Sequence, residues 1–312
     1  MQQAYDTARM LRANIERVVL GKPEVVRSLV IAMLAGDHVL LEDVPGVGKT
    51  LAAKALAKSL DGVFTRLQFT PDLLPSDITG SMIYRSDTRE FEFSRGPVFA
   101  NVVLADEINR APPRTQSALL EAMSEGQVSV DGKTYLLPKP FIVIATQNPF
   151  EFDGTYALPE SQMDRFLMRI SIGYPERSVE KDVLRTHRAG EPVDELMSVV
   201  SIGQMQQAQQ AARDVAFEDS LMDYLLRIVD ATRETPGIRV GVSTRGALSF
   251  YRGCQARAIT EGRNFVTPDD IKMLAVTVLS HRVVPEAVLG SIDRDSLERL
   301  VGDLVETIAV PV

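Results

Sequence analysis

The chain has 312 residues, 45% apolar and 24% charged, with a formal net charge of −8 and a pI near 5.1. That length accommodates about two domains with a sizeable core, and the acidic balance argues against a surface that coats nucleic acid, a local basic pore aside. No apolar run reaches the about 18 residues of a membrane span, and Met1 to Asp6 lacks the basic-then-apolar pattern of a signal peptide. A single cysteine, Cys254, excludes an intrachain disulfide framework and fits a reducing cytoplasm. His38, His187 and His281 are too scattered to suggest a metal site.

Residues 1–37 read as two helices. Ala4, Ala8, Leu11, Ile15 and Val18 recur at helical spacing, Val19 to Pro23 form a turn, and a second apolar helix runs from Glu24 to Leu34. His38 to Leu41 then read as a buried strand, Asp43 to Gly48 as a glycine-rich loop, and Thr50 to Ala57 as a helix of strong helix formers. This order predicts a triphosphate cradle. Gly46 and Gly48 let the backbone curl so that N–H groups converge, and the helix N-terminus adds unpaired donors and a positive dipole end. Lys49 supplies a charge for the outer phosphates, the Thr50 hydroxyl can ligate Mg²⁺, and Val44, Pro45, Val47 and Leu51 complete the nucleotide-contacting run. The full pattern would place glycine at position 43. Asp43 stands there instead, and charge repulsion predicts that its carboxylate turns away from the ligand.

Phe64 to Phe69 alternate as a second strand, and Met82 to Phe93 read as a hairpin around Ser86 to Thr88. Asn101 to Glu107 is an apolar run ending in two acids, the pattern of a buried parallel strand opening at a ligand crevice. Asp106 suits the Mg²⁺ shell and Glu107 the polarisation of an attacking water. After Pro112 and Pro113 a helix is expected over Arg114 to Glu125, with Ala118, Leu119, Ala122 and Met123 inward. Gln127 to Pro138 carries a second hairpin, with Asp131-Gly132 as its tight turn. Phe141 to Ala145 is a further strand. Asn148, just beyond it, either orients the same water or simply forms a turn before Pro149.

Leu158 to Phe166 reads as a short helix with Arg165 near its end, on spacing alone a surface charge. Leu167 to Ile172 is the last strand, and no strand pattern follows Gly173 to Pro175, which places a domain boundary near Tyr174. Beyond it, helices are expected over Glu176 to Arg188, Val199 to Arg213, Ser220 to Arg233, Ser243 to Glu261 and Pro268 to Ser280. The last has Thr267 as N-cap, Asp270 at the third position and one apolar face of Ile271, Leu274, Ala275, Val278 and Leu279. Arg245 falls in the first turn of its helix, where the dipole disfavours a cation. A nearby bound anion would offset that cost; otherwise it is an exposed surface arginine.

Taken in order, Glu42 to Thr50, Leu104 to Pro113, Thr115 to Met123, Ala145 to Pro149 and Leu158 to Phe166 resemble the AAA+ ATPases. Within these the match is to the MoxR family, in the clade that also holds magnesium chelatase subunits. The resemblance implies an α/β P-loop NTPase core over 1–174, with a parallel five-stranded sheet between helices, followed by an all-α lid over 175–312. It implies ATP and Mg²⁺, Leu20 and Gly21 near the adenine, Asn148 as first sensor, Arg165 as an arginine finger for the neighbouring subunit, and Arg245 as second sensor in its own or its neighbour's site. The hairpins at about 82–93 and 127–138 look like the clade's two inserts, facing a pore or a client. A ring, a hexamer by the family's habit, follows from a finger kept in another subunit, and a protein with a von Willebrand factor A domain is the implied client. Other readings stay open: a magnesium-chelatase motor subunit, a nucleotide-dependent scaffold with little turnover, and a DNA motor. Intact Glu107 and Arg165 argue against the scaffold, and the acidic balance against the DNA motor.

Overall fold

The computed structural model describes residues 1–149, 154–186, 190–286 and 294–311. Its centre is a parallel sheet of five strands, β1 (Val39–Glu42), β2 (Phe64–Gln68), β3 (Val102–Asp106), β4 (Ile142–Gln147) and β5 (Met168–Ile170), ordered β5-β1-β4-β3-β2. Apolar residues run almost unbroken through β1, β3 and β4 because both faces are covered. One face, with Val39, Leu41, Leu104 and Ile144, packs beneath helices α1 (Gln2–Glu16), α2 (Pro23–Ala35) and α3 (Lys49–Ser59). The other, with Leu40, Val103, Val143 and Ala145, packs on α4 (Pro113–Glu125) through Leu119, Leu120 and Met123. Every parallel strand points its carboxyl end the same way, which gathers the chemistry of β1, β3 and β4 at one edge.

Among the described residues, the longer remaining helices are α5 (Arg177–Thr186), α6 (Ile202–Arg213), α7 (Asp219–Glu234), α8 (Thr244–Thr260), α9 (Pro268–Leu279) and α10 (Arg294–Thr307). Helix α6 packs on α1, and α8 on α2, so apolar side chains of the C-terminal helices join the cluster on the first face of the sheet. The expected α9 cap is present: Asp270 reaches back to the Thr267 amide at 2.8 Å. Its whole apolar face is buried.

Several boundaries differ from the sequence reading. Three short strands follow Gly173, where none was expected: Val200–Ser201 pairs with Leu60–Asp61, and Ile238–Val240 with Val284–Pro285. Pieces of two or three residues are too short to alternate visibly. The first of them delays α6 to Ile202. The helix expected over Leu158 to Phe166 shrinks to Glu160–Met163, leaving Arg165 beyond it. Helix α5 covers Arg177–Thr186, and the expected stretch on to Arg188 lies outside the described residues, as does His187. Helix α10 is additional, although Leu297, Leu300, Val301, Leu304 and Val305 do recur at helical spacing. Both hairpins form, over Gly80–Arg85 with Glu90–Arg95 and over Gln127–Val130 with Lys133–Leu136. In the second, Asp131 (φ 51°) and Gly132 (φ 74°) are both left-handed, the type I′ geometry that Asp-Gly favours.

Candidate functional site

The loop leaving β1 takes left-handed backbone at Gly46 (φ 82°) and Gly48 (φ 97°), and Gly48 caps α3. A Cβ at either glycine would meet nothing within 4 Å. Glycine is therefore needed for conformation, and the concave side stays open. Lys49 Nζ bends back onto the carbonyls of Asp43 and of Gln147, the latter at 3.1 Å. Burial pushes this ammonium below its usual range, while Asp43, Asp106, Glu107 and Glu42 pull it back up. A cation held by two carbonyls beside an open ring of amides fits a phosphate, which would replace them with full negative charge.

Asp43 behaves as its charge predicts. Its Oδ2 accepts from Ser171 Oγ (2.6 Å) and from the amides of Ile172 (2.8 Å) and Gly173 (2.7 Å), and its Oδ1 from the Val44 amide (2.7 Å). The carboxylate turns to the exit of β5 and pins the loop's first residue there. The same exit meets the Leu20-Gly21 turn: Lys22 Nζ donates to Tyr174 O at 2.9 Å, and a Cβ on Gly21 would strike Val179 at 2.8 Å. Val47 and Leu51 pack onto the core from the loop side.

At the end of β3, Asp106 Oδ1 accepts from Thr146 Oγ1 (2.6 Å) and Oδ2 from Thr50 Oγ1 (3.4 Å). Hydroxyl and carboxylate so placed on one opening are the donor set expected for Mg²⁺. Arg66 also holds Asp106 Oδ2, at 2.7 Å through Nη2. Glu107 is left-handed (φ 57°) and therefore swings out of the strand; its amide donates to Thr146 Oγ1 and its Oε2 accepts from Gln68 Nε2 (2.8 Å) and Arg110 Nη1 (3.0 Å). Asn148 follows β4, next to β3, and its carbonyl accepts from Asn109 Nδ2 at 3.4 Å.

Arg165 and Arg245 lie elsewhere. They share a cleft of about 280 Å³ with Arg252, lined also by Gly36, Asp37, His38 and the end of α4. Arg165 donates to Leu120 O (2.7 Å) and Ser124 Oγ. Residues 36–38 precede β1 and the phosphate loop follows it, so the length of β1, about 13 Å, separates the cleft from the loop. The structure thus brings Lys49, Thr50, Asp106, Glu107 and Asn148 together at one edge of the sheet and Arg165 with Arg245 at the opposite edge.

Arg66, Gln68, Arg110, Thr146 and Arg252 were not singled out in the sequence. Strand order is what reveals the first two: β2 lies beside β3 with Gln68 opposite Asp106. The two histidines described are structural. His38 accepts from the Val143 amide through Nδ1 (3.0 Å) and lies 3.1 Å from Met123 O through Nε2, and His281 Nε2 contacts Phe166 O at 2.9 Å. Cys254 is buried, and burial pushes its thiol well above the usual range, as for an inert packed side chain.

A phosphate loop after the first strand, an acidic pair after the third and this strand order together define an ATPase of the AAA+ class. Residues 38–168 match the ATPase family associated with various cellular activities (AAA), and residues 230–299 match the AAA lid domain. Chaperone MoxR1 of Mycobacterium tuberculosis is 40% identical over 96% of this chain and 81% of its own length. Protein MoxR of Methylorubrum extorquens is 31% identical over 98% and 96%. The uncharacterized Bacillus subtilis protein YeaC is 47% identical over 96% and 93%. A crystal structure from Cytophaga hutchinsonii, described only as that of a candidate ATPase, superposes with a TM-score of 0.89 at 37% identity, covering 100% of this chain and 98% of that one. The chain belongs to the MoxR family of AAA+ ATPases.

Proposed function

We propose that the protein is a ring-forming, Mg²⁺-dependent ATPase that uses ATP hydrolysis to remodel partner proteins, each active site being shared by two subunits. The observation that carries this is the separation of Arg165 and Arg245 from the chain's own phosphate loop by the length of the sheet. Groups so placed can serve a nucleotide only across an interface with a second copy.

Within one subunit, the amides from Val44 to Leu51 and the Lys49 ammonium hold the phosphates, and Leu20 and Gly21 border the base. Thr50 and Asp106 would hold Mg²⁺, which when bound neutralises charge on the phosphate oxygens. Glu107 accepts a hydrogen bond from the attacking water and polarises it, with Asn148 fixing the water's second direction. Gln68 and Arg110, which occupy Glu107 Oε2, set its position before substrate arrives. Arg165 and Arg245 of the neighbour then meet the charge that develops as the bond to the leaving phosphate breaks. An arginine supplied this way contributes about 10³–10⁵ in rate. We place the division between nucleotide-binding core and lid near Tyr174, and the ring at six subunits.

The two hairpins carry exposed apolar side chains, Ile83, Tyr84, Phe91 and Leu136 among them, and give the client-facing surface. A von Willebrand factor A domain protein is the client that the family membership favours.

The test is ATP hydrolysis per protomer against protein concentration, with Mg²⁺ and no partner, and then Arg165→Ala mixed with Glu107→Gln. Each variant alone should be inactive and the mixture active, because one supplies an intact loop site and the other an intact arginine. A mixture as inactive as its parts, under conditions where rings assemble, would refute the shared site.

A further inference from the structure

We propose that Asp164, Ser243 and Arg282 form a positioning node that fixes the spacing of Arg165 and Arg245, and hence how one subunit grips its neighbour's nucleotide. The inference rests on the shared-site reading above. The two arginines come from separate parts of the chain, Arg165 from the segment entering β5 and Arg245 from the first turn of α8. No helix or strand joins them directly.

What joins them is the carboxylate of Asp164, the residue before Arg165. Its Oδ2 accepts from Ser243 Oγ at 2.9 Å and its Oδ1 from Arg282 Nε at 3.0 Å. Ser243 is the N-cap of α8, and its hydroxyl also accepts from the Gly246 amide at 3.0 Å. One hydrogen-bonded path therefore runs from the turn holding Arg245 to the residue adjoining Arg165.

Arg282 secures the other side. Its side chain is 1% exposed, and its guanidinium donates to the carbonyls of Phe166 (2.6 Å), Leu167 (3.0 Å), Asp164 (3.3 Å) and Val278. Burying a cation costs several kcal/mol unless its donors are satisfied, and here a rigid fork spends them on backbone flanking Arg165. Gly246, beside Arg245, rests directly on this side chain: a Cβ there would come within 2.7 Å of Arg282 Cδ. A single buried guanidinium thus touches both arms of the cleft. A well-packed apolar residue could fill the same volume but could not hold four carbonyls in register.

None of these residues reaches the phosphate loop, so each acts through Arg165 and Arg245. The test compares Asp164→Asn, Ser243→Ala and Ser243→Thr for nucleotide affinity, ring mass and hydrolysis, each also mixed with Glu107→Gln. The expected result for Asp164→Asn is a kcat lower by about ten- to a hundredfold, since misplacing a reacting group by about 1 Å costs on that order. KM for ATP and ring mass stay unchanged. Ser243→Ala loses several-fold, while Ser243→Thr, which keeps the hydroxyl, restores the rate. Mixing Asp164→Asn with Glu107→Gln returns activity at about a quarter of the interfaces of a randomly mixed ring, those pairing an intact loop site with intact arginines. Unchanged kcat in Asp164→Asn and Ser243→Ala would overturn the node. So would failure of that mixture where Arg165→Ala with Glu107→Gln succeeds, and there the shared-site reading would stand. Failure of both mixtures would remove the shared-site reading and the node with it.

Discussion

Asp43→Gly would bring the phosphate loop to the commoner pattern, in which a glycine begins it, yet it is expected to destabilise this protein. Asp43 is 9% exposed and its two oxygens accept four hydrogen bonds, three of them from the exit of β5. Removing the carboxylate strands the buried Ile172 amide, at about 1–3 kcal/mol. The donors on half-buried Gly173 and Val44 and on exposed Ser171 can recover water, so each adds about 0.5–1 kcal/mol. The sum, about 2.5–6 kcal/mol, is a large part of an ordinary stability of about 5–15 kcal/mol. Asp43→Asn keeps one acceptor and loses the charge, and should cost about 1–3 kcal/mol. Urea unfolding of the nucleotide-free protein measures both through the shift in midpoint at constant slope. Acid titration adds an independent check. Burial alone would raise the Asp43 pKa, but hydrogen bonds from Ser171, Gly173, Val44 and Ile172 together outweigh it and hold the carboxyl below its usual value. Its stabilisation is therefore present above the unfolded carboxyl value of about 3.9 and is lost as pH falls through the depressed one, a slope that Asp43→Asn should lack. If Asp43→Gly were as stable as the parent chain, the anchoring role would be wrong.

Other consequences are more local. Arg66 competes with a cation for Asp106 Oδ2, and a half-exposed pair of this kind is worth about 0.5–1 kcal/mol. Arg66→Ala should accordingly lower the Mg²⁺ concentration for half-maximal hydrolysis by about two- to fivefold, and an unchanged Mg²⁺ titration would speak against that competition. Burial holds His38 and His281 below the ordinary imidazole value, with Arg282 adding to the effect at His281. The unfolded chain then takes up protons that the fold refuses. Stability from these residues is full above about pH 6.5 and declines as pH drops through that value, visible as a lower Tm at mildly acidic pH. Replacing exposed Tyr84 and Phe91 by serine should leave Tm almost unchanged, because the pair contacts mainly itself across the hairpin. A drop of many degrees would mean that the hairpin belongs to the core.

The phosphate loop and the acidic pair were legible because their chemistry is local. A curled loop needs Gly46 and Gly48 within a few residues of Lys49 and Thr50, and a buried parallel strand announces itself as an apolar run before Asp106. Gln68 and Arg66 needed strand order, which comes from which strands pair and not from either segment. Arg245 is harder still. Its placement depends on α8 packing against α2, with Leu248 and Ser249 facing the turn before β1, contacts between segments some two hundred residues apart. Helix α10 shows a different failure, since its apolar spacing was present and went unused. The short strands after Gly173 carry no periodic signal at all.

The two ends of the proposed shared site are joined by the shortest rigid unit in the sheet. Strand β1 has Asp37 and His38 at one end and Glu42 and Asp43 at the other, and β5 beside it runs from the Arg165 segment to Ser171 and Gly173. They pair in register from Val39 with Met168 to Leu41 with Ile170, extended at one end by Leu167 N to His38 O (2.8 Å) and at the other by Asp43 to Gly173. Strands this short and this tightly packed do not stretch, because buried interiors have low compressibility. The phosphate loop at one end and Arg165 at the other therefore move as a single body. If the site is shared as proposed above, a change at the loop would reach the next subunit as a rotation of that body, with the Asp164 node coupling Arg245 to it. On that proposal a carboxylate at position 43 does what a glycine could not: it ties the loop to the exit of β5, the strand that Arg165 precedes.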